Sequence, residues 1–294
     1  MSDEPDVGLR PRIDLHSHSS WSDGTTSVRE LFADAAAAGL DVLALTDHDT
    51  VAGWEELPEA VAASGVAAVP GIEVSAEYDG RSVHILALLP DPAADTGLAA
   101  EMARARASRD ERARAMVDRI GTDHPLRWDD VTSQVADDST VIGRPHIADA
   151  LVAQGVVTDR SEAFAQILSP RGPYYVPYYA PDPVRVIELI REAGGVSIAA
   201  HPGSVTRGDA LPLELLEAMV AAGLDGVEVH HREHGPDERE RLSEFARRHD
   251  LLITGGSDHH GEGKPNELGE NLTAPQVLEQ IEARGTSGTR LIRS

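Results

Sequence analysis

The chain reads as an α/β protein, a seven-stranded (β/α) barrel carrying a small helical insertion. Three observations lead there. Short apolar runs alternate with helical periodicity over most of the 294 residues, the pattern of a sheet wound with helices. Polar and ionisable residues gather where those apolar runs end, which favours a barrel, whose chemistry sits at the C-terminal ends of its strands. No run is followed by a glycine-rich phosphate fingerprint, which argues against a dinucleotide fold.

Strands are expected at residues 12–16, 41–46, 67–74, 82–89, 195–200, 226–230 and 251–255, and the alternation implies that they run parallel. Helices are expected at 27–38, 54–63, 183–193, 212–222, 237–249 and 274–283. Ser27 followed by Glu30 has the form of a capping box. Gly39, Gly194 and Gly223 stand where a helix ends with a left-handed residue. The rhythm breaks at 96–181, where charged helix (98–120), two further helical stretches (144–154 and 161–168) and a Pro- and Tyr-rich segment (170–183, extended over 172–179) replace strands. This segment is expected to be an inserted helical subdomain, with the barrel made of 12–95 and 182–294. Residues 1–11 are polar, without the apolar core of a signal sequence, and are expected to form a disordered leader.

Composition excludes several function classes. There is no cysteine, so disulfides, thiolate metal sites and cysteine nucleophiles are out, and a cytoplasmic location is expected. No apolar run approaches the roughly 20 residues of a membrane span. The net charge is -24, and Lys264 is the only lysine. Such a surface argues against duplex DNA, whose capture needs many Lys and Arg on phosphates.

The chemistry lies in Asp14-Leu15-His16-Ser17-His18, Asp23, Thr46-Asp47-His48-Asp49, Glu73, His201-Pro202-Gly203 and Gly256-Ser257-Asp258-His259-His260. Residues two apart on a strand share a face, so His16 and His18 aim at one point while Ile13 and Leu15 are left to face the helices. His48, Glu73 and His201 end the second, third and fifth strands, and Asp258 and His260 repeat the spacing of two. Ligands scattered in this way suit a metal centre built from many strand ends. His84 stands near the start of its run and fits the pattern least. Nitrogen and oxygen donors without sulfur suit Mn²⁺, Fe²⁺ or Zn²⁺.

Together these motifs, with Gly-Ile-Glu-Val-Ser around Glu73, resemble the polymerase and histidinol phosphatase (PHP) family of metal-dependent phosphoesterases. The resemblance runs from about Arg12 to the C-terminus. It implies a distorted seven-stranded barrel and up to three divalent ions, Mn²⁺ first, with Fe²⁺, Zn²⁺ or Mg²⁺ as alternatives. His16, His18, Glu73 and Asp258 would hold one ion, and Glu73 would bridge to a second held by His84 and His201. Asp23, His48 and His260 would hold the third. Six neutral imidazoles, three carboxylates and three divalent ions leave a net charge of about +3, attractive to a phosphate dianion even in an acidic protein. Asp47 and Asp49 are expected to orient the ligands, with Asp47 equally readable as structural.

Substrate choice is expected to lie in Gly143-Arg144-Pro145-His146, which opens a helix of the insertion. Arg144 offers a bidentate fork for phosphate, and Arg144, His146 and His201 are the candidate catalytic groups. With the Tyr-Val-Pro exit, this element resembles a stand-alone branch of the family comprising 3′,5′-nucleoside bisphosphate phosphatases and 5′→3′ exonucleases on short RNA. Arg207, His230 and His234 are further candidate substrate contacts, with Arg207 equally readable as a solvated loop residue. Glu228 stands between barrel interior and site, whereas His231 and His249 read as surface residues. The tyrosines at 174–179 fit either nucleobase stacking or subdomain packing.

The expected reaction is direct phosphomonoester hydrolysis by a metal-bound hydroxide, on a small nucleotide and without a phosphoenzyme. Alternatives are exonuclease action on short RNA, a histidinol-phosphate-type phosphatase, and a non-catalytic nucleotide sensor. The sequence does not disclose the oligomeric state.

Overall fold

The computed structural model describes residues 11–93, 95–135, 140–204 and 210–294. The leader expected at 1–11 therefore lies outside the described residues except for Pro11. One sheet holds all seven strands in sequence order: β1 (Ile13–Asp14), β2 (Val42–Leu45), β3 (Ala67–Tyr78), β4 (Arg81–Leu88), β5 (Val196–Ala199), β6 (Gly226–His230) and β7 (Leu252–Gly255). The ends of the sheet meet. Leu15 N–H donates to Gly255 O (3.4 Å), Asp258 N–H to His16 O (2.9 Å) and His18 N–H to His259 O (2.9 Å). These bonds form a seam that closes the barrel.

The helices are α1 (Val28–Ala37), α2 (Leu57–Ser64), α3 (Gly97–Ile120), α4 (Trp128–Thr132), α5 (Arg144–Ala153), α6 (Arg160–Gln166), α7 (Pro183–Glu192), α8 (Leu213–Ala222), α9 (Pro236–Arg248) and α10 (Pro275–Arg284). Ser27 and Glu30 make the capping box of α1. Among the described residues no helix is long and apolar enough to cross a membrane.

The sheet is mixed, not parallel throughout. β4 runs antiparallel to both β3 and β5. Only Asp79 and Gly80 separate β3 from β4, too few for a parallel crossover. Both turn residues have positive φ (51° and 74°), as a tight hairpin with right-handed strand twist requires. The reversal puts the start of β4 at the end of the barrel where its neighbours finish.

Period-two alternation sorts the side chains. Ile72, Val74 and Ala76 of β3 and Val83, Ile85 and Ala87 of β4 pack outward with Val186, Ile187 and Ile190 of α7. Leu86, Leu88, Val42, Ala44 and Ile198 fill the interior. Ile13 and Leu15 belong to this interior cluster, which Leu278 and Ile281 of α10 close off, so they do not face the outer helices as the spacing suggested. β1 ends at Asp14, and the strict alternation ends with it. Residues between β4 and α7 build a separate apolar cluster, with Met116, Ile120, Val131, Ile147, Leu151 and Leu168 at its centre.

Candidate metal centre

The open end of the barrel brings the scattered ligand candidates together. His16 Nε2 lies 3.2 Å and His18 Nε2 3.0 Å from Glu73 Oε2, and Asp258 Oδ1 lies 3.5 and 3.4 Å from the same two nitrogens. On the other side of His18, His260 Nε2 is 3.1 Å from Asp23 Oδ1, and His48 Nε2 is 3.8 Å from Asp23 Oδ2. Glu73 Oε1 accepts from His84 Nδ1 at 2.6 Å and from His201 Nε2 at 3.0 Å. Three sets have ligand atoms all within 4.8 Å of one another: His16, His18, Glu73 and Asp258; His18, Asp23, His48 and His260; and His48, Glu73 and His84. His201 reaches the third set through Glu73.

Strand geometry explains each member. Ser75 pairs with His84 across the hairpin, so Glu73, two residues from Ser75, is the diagonal neighbour of His84 on one face. The Asp23 loop is tied by Asp47, which accepts from Ser19 N–H (2.8 Å), Ser19 Oγ–H (2.7 Å) and Ser22 Oγ–H (2.6 Å). Asp49 accepts from Ser75 N–H at 2.8 Å. These two aspartates thus hold backbone and loop rather than imidazoles. Asp14 accepts from Ser257 N–H and Gly269 N–H, both at 2.9 Å, fastening β1 to the segment after β7.

The inward atoms fit cations. His16 Nε2, His18 Nε2, Asp23 Oδ1, His48 Nδ1, Glu73 Oε2 and His260 Nε2 are buried with no hydrogen-bond partner among the described residues. Orphaned polar atoms are rare in protein interiors, and six facing one another are the lining of an ion site. The outer nitrogens fix the rings. His16 Nδ1–H donates to Glu228 Oε1 at 3.1 Å, and His260 Nδ1–H donates to the Asp258 carbonyl at 2.8 Å. Each bond holds the opposite nitrogen aimed inward.

The electrostatics agree. Burial opposes charge on His16, yet Glu228, Glu73 and Asp258 outweigh it and hold the imidazolium well above its usual range. Burial likewise opposes charge on His18, but the neighbouring carboxylates of Asp258 and Glu73 push it up to about 9. Glu73 and Asp23 are held well below the usual carboxylate range by surrounding histidines, in spite of their burial. Burial, and then Lys264, push His260 down to about 4. The carboxylates stay ionised and draw positive charge into the centre.

Several side chains beyond the nine ligand candidates belong here. Glu228 is fully buried, and besides His16 it accepts from His201 N–H at 2.8 Å. His231, read as a surface residue, is buried with Nε2 3.7 Å from Asp258 Oδ2. The ladder of β6 shifts register between Glu228 and His230, so simple alternation fails there. Lys264 Nζ donates to Asp258 Oδ2 at 2.8 Å, and its being the only lysine was the available signal. Arg109 donates to Asp49 Oδ2 at 3.1 Å.

The expected substrate contacts fare unevenly. His146 is buried, and that burial holds its imidazole below the usual range. Its Nδ1 accepts from Gly143 N–H at 3.1 Å. Arg144 donates to the Leu168 carbonyl at 3.1 Å. His234 has Nε2 accepting from Gly203 N–H and Nδ1–H donating to the Val229 carbonyl, both at 3.0 Å. Neither ring nitrogen is left for substrate, so His234 braces the turn after His201 instead. His230 is half-buried and senses Arg239 and His234 rather than the carboxylates of the centre. Arg207 lies outside the described residues. His249 is a peripheral partner of Glu217, at 3.2 Å.

A mixed seven-stranded barrel with clustered His and carboxylate donors at its mouth defines a class of metal-dependent hydrolases. The PHP domain model matches residues 14–120. The 3′,5′-nucleoside bisphosphate phosphatase of Chromobacterium violaceum is 35% identical over 277 residues, covering 92% of this chain and 94% of that protein. The 5′-3′ exoribonuclease of Haemophilus influenzae is 34% identical over 264 residues, covering 90% and 95%. A crystal structure from Bifidobacterium adolescentis, designated a metal-dependent phosphoesterase, superposes with a TM-score of 0.91 at 47% identity, covering 94% of this chain and 97% of its own. The chain belongs to the PHP family.

Proposed function

We propose that this protein is a metal-dependent phosphoesterase that removes phosphate from small nucleotides, converting a 3′,5′-nucleoside bisphosphate to the 5′-monophosphate and phosphate. The six inward-facing polar atoms of the centre, without hydrogen-bond partners among the described residues, carry the reading. His16, His18, Asp23, His48, Glu73, His84, His201, Asp258 and His260 would hold up to three divalent ions, with Mn²⁺ the first choice. When bound, such ions supply Lewis acidity and an ionised water at neutral pH.

The chain's own groups do the rest. Glu228 and Lys264 orient His16 and Asp258. His146 is kept neutral, because burial outweighs the pull of Asp23 and Asp149. Since Nδ1 accepts from Gly143, Nε2 carries the proton and can pass it to a leaving alkoxide. Arg144 binds phosphate from the N-terminal turn of α5. We treat 96–181 as an inserted subdomain that sets the substrate.

The test is phosphate release with Mn²⁺ over adenosine 3′,5′-bisphosphate, AMP, histidinol phosphate and a 5′-phosphorylated trinucleotide. The bisphosphate should turn over best, and His16→Ala or Asp258→Asn should abolish turnover. Wild-type rates in those variants, or preference for histidinol phosphate, would reject the proposal. Exonuclease action on short RNA is the second reading. Its support is similarity to the Haemophilus influenzae exoribonuclease over most of both chains, and preference for the trinucleotide would favour it.

A further inference from the structure

His231 follows β6 directly and is fully buried. Its backbone is pinned, because its carbonyl accepts from His234 N–H at 3.1 Å and from Arg239 Nη2 at 2.9 Å. Its ring is flanked by two other imidazoles, with centroids 5.4 Å from both His201 and His234. The ring is therefore held in place, and its two nitrogens have distinct tasks.

Nδ1 accepts from Glu233 N–H at 3.2 Å. A ring nitrogen that accepts carries no proton, so the proton of this imidazole sits on Nε2. His16 and His260 are arranged the other way round: they donate through Nδ1–H and turn Nε2 toward the centre. Where those rings are set to ligate, His231 presents an N–H, which cannot ligate an ion but can hold an oxygen. That N–H is buried with no hydrogen-bond partner among the described residues. A buried donor left unpaired costs about 1–3 kcal/mol, and such groups are rare.

The two oxygens of Asp258 have different surroundings. Oδ1 faces the ligands, 3.5 Å from His16 Nε2 and 3.4 Å from His18 Nε2. Oδ2 faces donors, with Lys264 Nζ at 2.8 Å and His231 Nε2 at 3.7 Å. A carboxylate oxygen has two lone pairs, so the bond from Lys264 leaves one for a second donor. The two donors come from different loops, one after β6 and one after β7.

We propose that His231 is a positioning residue, donating from Nε2 to Asp258 Oδ2 in the ion-loaded centre. With Lys264 it keeps Asp258 ligating through Oδ1 alone. A carboxylate free to turn would cover an ion with both oxygens. Held by one, it leaves room on that ion for water or a phosphate oxygen. This rests on the metal-centre reading above and adds a residue that shapes the first ion's surroundings.

The experiment compares wild type, His231→Met, His231→Gln, Lys264→Met and the His231→Met/Lys264→Met double variant. Each is titrated competitively with Mn²⁺ and melted in EDTA and in saturating Mn²⁺. Met and Gln are alike in length and both forfeit the bond from Glu233 N–H, so the contrast between them isolates the donor. His231→Met should bind Mn²⁺ about tenfold more weakly than wild type, and His231→Gln within about threefold of it. In EDTA His231→Gln should melt no higher than His231→Met, whereas in Mn²⁺ it should melt higher. Two donors on one oxygen are coupled, so the double variant should depart from the product of the single losses by at least about threefold. Equal Mn²⁺ affinity in His231→Met and His231→Gln, an advantage of His231→Gln that persists in EDTA, or losses that simply multiply would assign His231 to packing and overturn the proposal. Wild type that takes up no Mn²⁺, Fe²⁺ or Zn²⁺ would sink the metal-centre reading and the proposal with it. Tight uptake indifferent to His231 would sink the proposal alone.

Discussion

Replacing Glu228 by Gln should weaken metal binding tenfold to a hundredfold while leaving the barrel folded. The carboxylate is fully buried and accepts two bonds, one per oxygen, from His16 Nδ1–H at 3.1 Å and His201 N–H at 2.8 Å. Burial opposes its charge, but His16 and these bonds hold the carboxyl below its usual range, so it is ionised. Glutamine has nearly the same shape but one acceptor oxygen. In either amide orientation an NH₂ group faces a buried N–H, and one bond is lost. A hydrogen bond to a charged group contributes about 1.5–3 kcal/mol. That range corresponds to roughly tenfold to a hundredfold, the usual effect of removing the group behind a ligating histidine. A competitive Mn²⁺ titration beside phosphate release and circular dichroism measures it. Unchanged Mn²⁺ affinity and unchanged kcat/KM in a folded variant would refute the idea that Glu228 orients His16.

Gly256→Ala should disrupt the same region. Its Cβ would overlap His16 Cβ and lie 2.7 Å from Glu228 Oε1, and overpacking of this kind costs about 1–3 kcal/mol, visible as weaker Mn²⁺ binding and a lower melting temperature. Asp14→Ala strands the buried Ser257 and Gly269 amides, and urea titration should show a loss of at least about 2 kcal/mol. Chelation with EDTA should stop phosphate release and lower the melting temperature, and added Mn²⁺ should restore both in a concentration-dependent way.

Much of this was legible in the order of residues. The strand positions followed from apolar runs bounded by helical stretches, and seven of the nine ligand candidates followed strand ends directly or by a spacing of two. Asp23 was placed by its nearness in the loop. His84 was not legible by pattern, because the rule that ligands follow strands presumes strands running one way. Asp79-Gly80 reverses β4, so the start of that strand is at the mouth. His231 was missed for a related reason: a register shift in β6 spoils the alternation on which face assignment depends. Glu228 and Lys264 act through other residues, and nothing in their local sequence announces a partner far along the chain. Arg109 lay unremarked in a stretch read only as charged helix, since the partner that holds it, Asp49, comes from far along the chain.

The seam between the first and last strands gives the metal centre a second consequence. Glu73 and His84 come from one hairpin and can approach each other early, as neighbours in the chain do. His16 and His18 meet Asp258 and His260 only after some 240 residues have been threaded into place, a closure that is slow to find. Ions bound there clasp the two ends of the barrel at the joint that forms last. Metal should therefore slow the unfolding of this protein as well as serve its chemistry, and the holo form should resist proteolysis at the seam long after the apo form has opened.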